Sequence, residues 1–306
     1  MDSQTSPKAT RSYVPYVVLG LAVLVVSSAA IAIRFAQAEG VPSLAIAAWR
    51  LSIAAAILWP ITLGTHAGEI RQWSREQWLL GALSGVFLAL HFASWISSLA
   101  YTSVGSSLAL VSTNPVWIAL ISWLAFREKP GRWLALGIAA AVAGSILIFF
   151  SDSQLTVVSG AENATMGNVL AITGSLTVCG YLLIGRRLRK TVSLLPYIWL
   201  VYSTAALVLV VMALAGGAAM WGYSNFAWLC LAGLALGPQL LGHSVFNWAL
   251  KHVSATFIAV VILGEPIGSA LLAWLIFNET FAPLQLAGFC LLLAGIYLAS
   301  RAEKVS

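Results

Sequence analysis

The chain has 306 residues, is 60% hydrophobic and only 8% charged, and carries a net charge of +6. Soluble domains hold about 25% charged residues, so this composition excludes a water-wrapped globule and makes lipid the solvent. The positive balance has no polar face to carry it, so it reports membrane orientation and not a nucleic-acid footprint.

Residues 1–12 are polar, carry Lys8 and Arg11, and read as a short cytoplasmic tail. The first apolar stretch, about residues 14–35, has the length of a full span and is followed by many more. It therefore reads as a retained helix and not as a cleaved signal peptide. Further spans are expected at about 44–64, 77–99, 106–126 and 132–150. A polar loop, 151–165, holds Asp152 and Glu162 and no cation. The second half repeats the pattern at about 167–186, 195–216, 226–249, 256–277 and 283–300. The expected organisation is a first five-helix unit over 13–150, an external linker over 151–165, a second unit over 166–301, and a cytoplasmic tail over 302–306. Cys179, Cys230 and Cys290 lie far apart in apolar runs, with no metal-ligand spacing, and read as small buried hydrophobes. Asn163-Ala-Thr165 matches a glycosylation sequon on the external loop.

The two halves are copies. At a shift of 151 residues, Leu99, Ser103 and Pro115 meet Leu250, Ser254 and Pro266, and Trp123, Leu124, Phe126 and Glu128 meet Trp274, Leu275, Phe277 and Glu279. Gly137 and Gly144 meet Gly288 and Gly295; upstream, at a shift of 152, Gly81, Gly85 and His91 meet Gly233, Gly237 and His243. With the amino terminus inside, 14 of the 16 lysines and arginines fall on the inner side, and only Arg34 and Arg50 fall on the outer side. Both termini are then cytoplasmic. Five crossings is an odd number, so the second copy enters the membrane inverted. Inverted repeats place a substrate site near the midplane between the copies, where rocking exposes it to alternate sides.

Glu265, followed by Pro266, is the one acid deep inside a span, and its twin is Asn114, followed by Pro115. Each proline removes a backbone hydrogen bond, freeing the carbonyls of Val111 and Ile262, and the two kinks should meet at mid-depth. Glu265 and Asn114 read either as substrate contacts beside hinges or as structural interhelical partners. His91 and Trp95 share a helix face, as do His243 and Asn247, with Gln239 one turn earlier beside the third hinge candidate, Pro238. Such faces line a cavity or glue the bundle together. Trp117, Tyr181, Trp199 and Tyr202 supply aromatic surface for the same cavity, while Trp73, Trp78, Trp133 and Trp221 read as interface anchors. Arg34 and Arg50 either hold a substrate carboxylate at the outer mouth or, the simpler account, snorkel to the interface. Gly81/Gly85 and Gly233/Gly237 have the spacing of close helix contacts in the third and eighth spans.

The stretch Pro115-Val-Trp-Ile-Ala-Leu-Ile-Ser-Trp-Leu-Ala-Phe-Arg-Glu128 and its counterpart Gly264-Glu-Pro-Ile-Gly-Ser-Ala-Leu-Leu-Ala-Trp-Leu-Ile-Phe-Asn-Glu279 resemble the drug/metabolite transporter superfamily, in its ten-helix EamA-type form. The tryptophan-rich chain is most similar to the YddG-type exporters of aromatic amino acids. The resemblance implies an all-α membrane fold of ten transmembrane helices in two inverted five-helix repeats, in a bacterial inner membrane. The small multidrug relatives bear a coupling glutamate in the first span; here that span has no acid, so that site does not carry over. The expected function is export of aromatic or neutral amino acids and related small amphiphiles by alternating access, with another metabolite or a cationic drug as the alternative. Proton coupling through Glu265 stays open. The cavity is expected between spans one to four and six to nine, the fifth and tenth serving as scaffold or dimer surface in a monomer or weak homodimer. No cluster of lysine or arginine at mid-depth favours a phosphate substrate. Catalytic residues, metal ligands and cofactors are not expected: the sequence has no H-E-x-x-H, no G-x-S-x-G, no nucleotide-binding motif and no second mid-span acid.

Overall fold

The computed structural model describes residues 14–101, 104–127, 129–155, 164–277 and 283–302, and these are helical with short connections. The first repeat comprises α1 (Val14–Ala38), α2 (Ser43–Arg71), α3 (Arg75–Ser98), a broken span of α4 (Val104–Val111) and α5 (Asn114–Phe126), and α6 (Arg132–Leu155). The second comprises α7 (Ala164–Leu188), α8 (Leu194–Ala215), and a span running through α9 (Asn225–Leu234), a π-helical segment (Ala235–His243) and α10 (Ser244–Ala249). A second broken span, α11 (Ala255–Ile262) and α12 (Glu265–Phe277), and α13 (Pro283–Ala302) complete it. Seven of these helical stretches are long and apolar enough to cross a bilayer, and shorter apolar helices in α5, α6 and α13 bring the crossings to ten. The fold is an all-α membrane fold of two inverted five-helix repeats. Glu128, Glu279, the sequon asparagine and the two tails lie outside the described residues.

Span ends carry local stop and start signals. Ser74 and Gln77 form a reciprocal cap at α3: the Gln77 amide donates to Ser74 Oγ at 3.2 Å, and the Ser74 amide to Gln77 Oε1 at 2.8 Å. Ser224 and Ser254 cap α9 and α11 from one side only, each hydroxyl accepting the amide three residues on at 3.1 Å. These bonds satisfy amides that a helix start leaves orphaned. Outward faces bear large apolar side chains, such as Val17, Leu21 and Leu24 on α1 and Leu207, Val211 and Leu214 on α8, as a lipid-facing surface requires.

The repeats interlock across one another. α6 packs along α13, α3 along α7 and α8, α2 along α8, and α1 along α9, the π segment and α12. Lipid gives apolar surfaces no reason to associate, so small residues set these contacts. A Cβ on Gly144 would sit 2.6 Å from the Gly288 carbonyl oxygen, and one on Gly295 2.6 Å from the Ala141 nitrogen. In α3, Gly81 and Gly85 admit Leu200 and Thr204 in the same way. The matching expectation for Gly233 and Gly237 fails: Gly233 has no neighbour within 4 Å, Gly237 only Val25 at 3.8 Å, and Gly242 makes the close approach instead, to Val26. Cys179 and Cys230 are buried, but Cys290 is exposed on α13, against the reading of three buried thiols.

Candidate functional site

Both repeats break one span at mid-depth, and the site forms there. Proline at 115 and 266 cannot donate to the carbonyl four residues back. Each helix therefore stops short and tightens into three-residue turns, with Thr113 N to Leu110 O at 3.2 Å in one copy and Gly264 N to Val261 O at 2.9 Å in the other. α5 and α12 then restart with Asn114 and Glu265 in their first turns. Each restart is held by a neighbouring repeat's long helix. The Ser27 hydroxyl on α1 lies 2.7 Å from the Val23 carbonyl and 3.2 Å from that of Glu265. The Cys179 thiol on α7, the twin position, lies 3.0 Å from the Ser175 carbonyl and 3.6 Å from that of Asn114. Pro238 sits inside the π segment, which absorbs its missing donor by widening the helix.

Between the breaks lies a cavity of about 40 Å³. Val26, Val111 and Asn114 from the first repeat face Val178, Ile262 and Glu265 from the second, and Arg50, His91, Trp95 and His243 close it. His91 donates from Nδ1 to the Gly174 carbonyl at 2.9 Å, which fixes its ring 6.0 Å from that of Trp95 in a near-parallel stack. The volume holds about three waters, whereas ligand pockets run to about 300–1,000 Å³, so the structure is in a contracted state.

Tyr181, Tyr202, Gln239 and Asn247 form the layer directly behind. Asn247 Nδ2 donates to the Tyr181 hydroxyl at 2.6 Å and to the His243 carbonyl at 2.9 Å, and Tyr202 reaches Ser244 at 3.2 Å. Widening at the π segment turns the Gln239 carbonyl toward Tyr202, at 3.4 Å. Trp117 and Trp199 fall outside the lining: Trp117 bonds Thr113 Oγ1 at 3.1 Å, and Trp199 packs edge-on against Trp78.

The residue that sequence reasoning misplaced is Arg50. It does not snorkel. Its side chain is 1% exposed, its guanidinium lies 4.2 Å over the Phe92 ring, and Nε donates to Gln239 Oε1 at 2.8 Å. Glu265 lies within its electrostatic reach. Arg34 is exposed and fits the snorkelling account. The one available signal for Arg50 was its departure from the basic-inside pattern.

Buried polar atoms without a hydrogen-bond partner among the described residues concentrate here. Six of the eight lie here, Arg50 Nη1, Trp95 Nε1, Asn114 Oδ1, Gln239 Nε2, His243 Nδ1 and Asn247 Oδ1; Thr62 Oγ1 and Trp73 Nε1 lie elsewhere. Such groups are costly to bury, roughly 1–3 kcal/mol each, and their concentration around one chamber makes it the candidate site.

Ten helices in inverted copies around a contracted polar chamber describe a transporter architecture, and the sequence comparison agrees: the EamA-like transporter family matches residues 15–150 and 165–301. The chain belongs to the EamA-like transporter family. This EamA protein is 26% identical over 232 residues to the uncharacterized transporter sll1319 of Synechocystis, a match covering 72% of this chain and 66% of the relative. It is 24% identical over 267 residues to the uncharacterized transporter YyaM of Bacillus subtilis, with 85% of each chain covered. A solved crystal structure at 18% identity superposes with a TM-score of 0.75, over 95% of this chain and 99% of its own, and shows the same fold. The EamA chain is thus a multi-pass membrane transporter.

Proposed function

We propose that the protein is a secondary transporter that exports aromatic and other neutral amino acids, and related small amphiphiles, by alternating access. The observation that carries this reading is the chamber between two broken helices, lined from both repeats by polar groups and by the His91–Trp95 stack. Amide, imidazole and guanidinium groups suit the polar end of an amino acid, and an indole and imidazole stack suits an aromatic side chain. Asn114, Glu265 and the proline breaks act as the moving joint, and the positive-inside count supports our reading of both termini as cytoplasmic, in a bacterial inner membrane. Because α3 packs along α7 and α8, and α1 along α9 and α12, the bodies that rock each draw helices from both units, 13–150 and 166–301.

One observation favours a second reading. Glu265, beside an aromatic wall, also suits a cationic amphiphile. Both are tested on purified protein in liposomes, following labelled phenylalanine and tryptophan against leucine, glutamate and a cationic dye. Saturable aromatic flux supports the first reading; dye flux without it establishes the second. Glu265 faces Arg50, His91 and His243 across the chamber and is our coupling residue for a proton. Acceleration by a pH gradient that vanishes in Glu265→Gln is the expected result; a gradient response that survives the substitution removes that role.

A further inference from the structure

We propose that Arg50 holds the carboxylate of the transported solute while Glu265 and Asn114 receive its ammonium, an assignment that rests on the amino-acid reading above. A guanidinium deep in a bundle surrounded by lipid is expensive, and a purely structural one is expected to be saturated with acceptors. Arg50 is not. Gln239 Oε1 occupies Nε, the Phe92 ring covers one face, and Nη1 has no hydrogen-bond partner among the described residues. A guanidinium can only donate, so Gln239 must present its oxygen to Arg50, and its amide nitrogen, also unpartnered, is left as a second donor on the same side. Trp95 Nε1 is a third. The same cavity is lined by an acceptor without a partner, Asn114 Oδ1, and by the acid Glu265. The lining therefore divides between donors, Arg50 and Trp95, and acceptors, Asn114 and Glu265. A fork of donors matches a carboxylate in geometry as well as charge.

The division is not a by-product of the duplication. At the shift of 152 that aligns Val26 with Val178, Arg50 aligns with Tyr202, and at the shift of 151 Glu265 aligns with Asn114. The cation is thus present in one copy only and the acid in the other only. A zwitterion has one orientation in such a chamber.

The test compares binding of L-phenylalanine, 3-phenylpropionate (no ammonium) and phenethylamine (no carboxylate) to the purified protein by tryptophan fluorescence. Arg50→Gln is expected to weaken phenylalanine and 3-phenylpropionate about tenfold or more while leaving phenethylamine within about twofold. Glu265→Gln is expected to do the reverse, weakening the two amines and sparing 3-phenylpropionate. Equal weakening of all three ligands, or of none, overturns the assignment. Should Arg50→Gln fail to fold, Gln239→Glu keeps Arg50 paired and puts a resident carboxylate on it. That variant is expected to exclude the two carboxylates and keep phenethylamine; unchanged carboxylate binding overturns the proposal. If liposomes show no amino-acid flux, the functional reading falls on its own. Arg50-dependent binding of 3-phenylpropionate then upholds the anion site, and its absence removes that too.

Discussion

A single side chain shows how depth and direction differ. Arg50 is the eighth residue of α2, about 10 Å from the helix start at 1.5 Å per residue. Position along the helix therefore put it near the outer end, where snorkelling is the usual solution. What decided its environment was the direction it faces, and α2 is too uniformly apolar for its pattern to reveal an inward face. Removing its neutral partner tests how far the bundle depends on this contact. Gln239→Leu leaves the buried Nε without an acceptor and is expected to destabilise the fold by about 1.5–3 kcal/mol, read as a lower unfolding midpoint in detergent. Arg127 offers the opposite sign. It ends α5 at φ 59°, in the left-handed region, where its amide closes on the Ser122 and Trp123 carbonyls. Glycine takes that conformation without the Cβ penalty, so Arg127→Gly is expected to raise stability by about 1 kcal/mol in the same unfolding assay.

Helices are where the sequence was most legible, and also where it misled over one contact. The breaks before Pro115 and Pro266 follow from the chemistry of a residue with no amide hydrogen, and both can be read from a dipeptide. The third proline was legible as a disturbance but not as a π-helical segment, whose wider turns shift the phase of everything after it. The small-residue spacing selected Gly233 and Gly237, before and at the start of that segment, whereas the close contact falls on Gly242 near its end. The contrast is measurable. Gly144→Leu drives a side chain into the Gly288 backbone and is expected to cost about 1–3 kcal/mol of stability or to part α6 from α13. Gly233→Leu enters open space and is expected to fold as the wild type does, by the same melting assay. Pro266→Ala restores a donor for the Ile262 carbonyl. It is expected to straighten the α11–α12 span and to slow flux in liposomes while ligand binding persists; unchanged turnover removes the hinge role.

At the scale of the whole molecule, the duplication was legible because a constant shift survives any divergence that spares a few positions. The contracted chamber was not. Which of several rocking states a bundle occupies depends on small differences between interfaces, which no residue pattern records. Ties across the repeats exist at both ends. Glu39 meets Ser224 Oγ at 2.5 Å at the end where α9 starts. Glu69 accepts the Ser193 amide at 2.8 Å, and Glu76 pairs with Arg187, at the basic end where α8 starts. If motion opens these ends in turn, joining either pair arrests the cycle. Cysteines at positions 39 and 224, or at 69 and 193, with the exposed Cys290 replaced, are expected to stop flux on treatment with a short thiol cross-linker. Reduction of a cleavable cross-linker is expected to restore it. Flux that continues with one end joined shows that this end does not open.

The lone cation and the lone acid also bear on stoichiometry. Two identical half-length chains, assembled head to tail, present every lining position twice. Built from the first copy, such a dimer holds two guanidiniums and no carboxylate; built from the second, two carboxylates and no guanidinium. Neither is electrically balanced, and like charges at close quarters in a medium of low permittivity repel strongly. Joining two unlike copies in one polypeptide guarantees one of each per chamber. The tandem arrangement thus enforces a strict one-to-one pairing that separately made halves, free to associate with themselves, do not enforce.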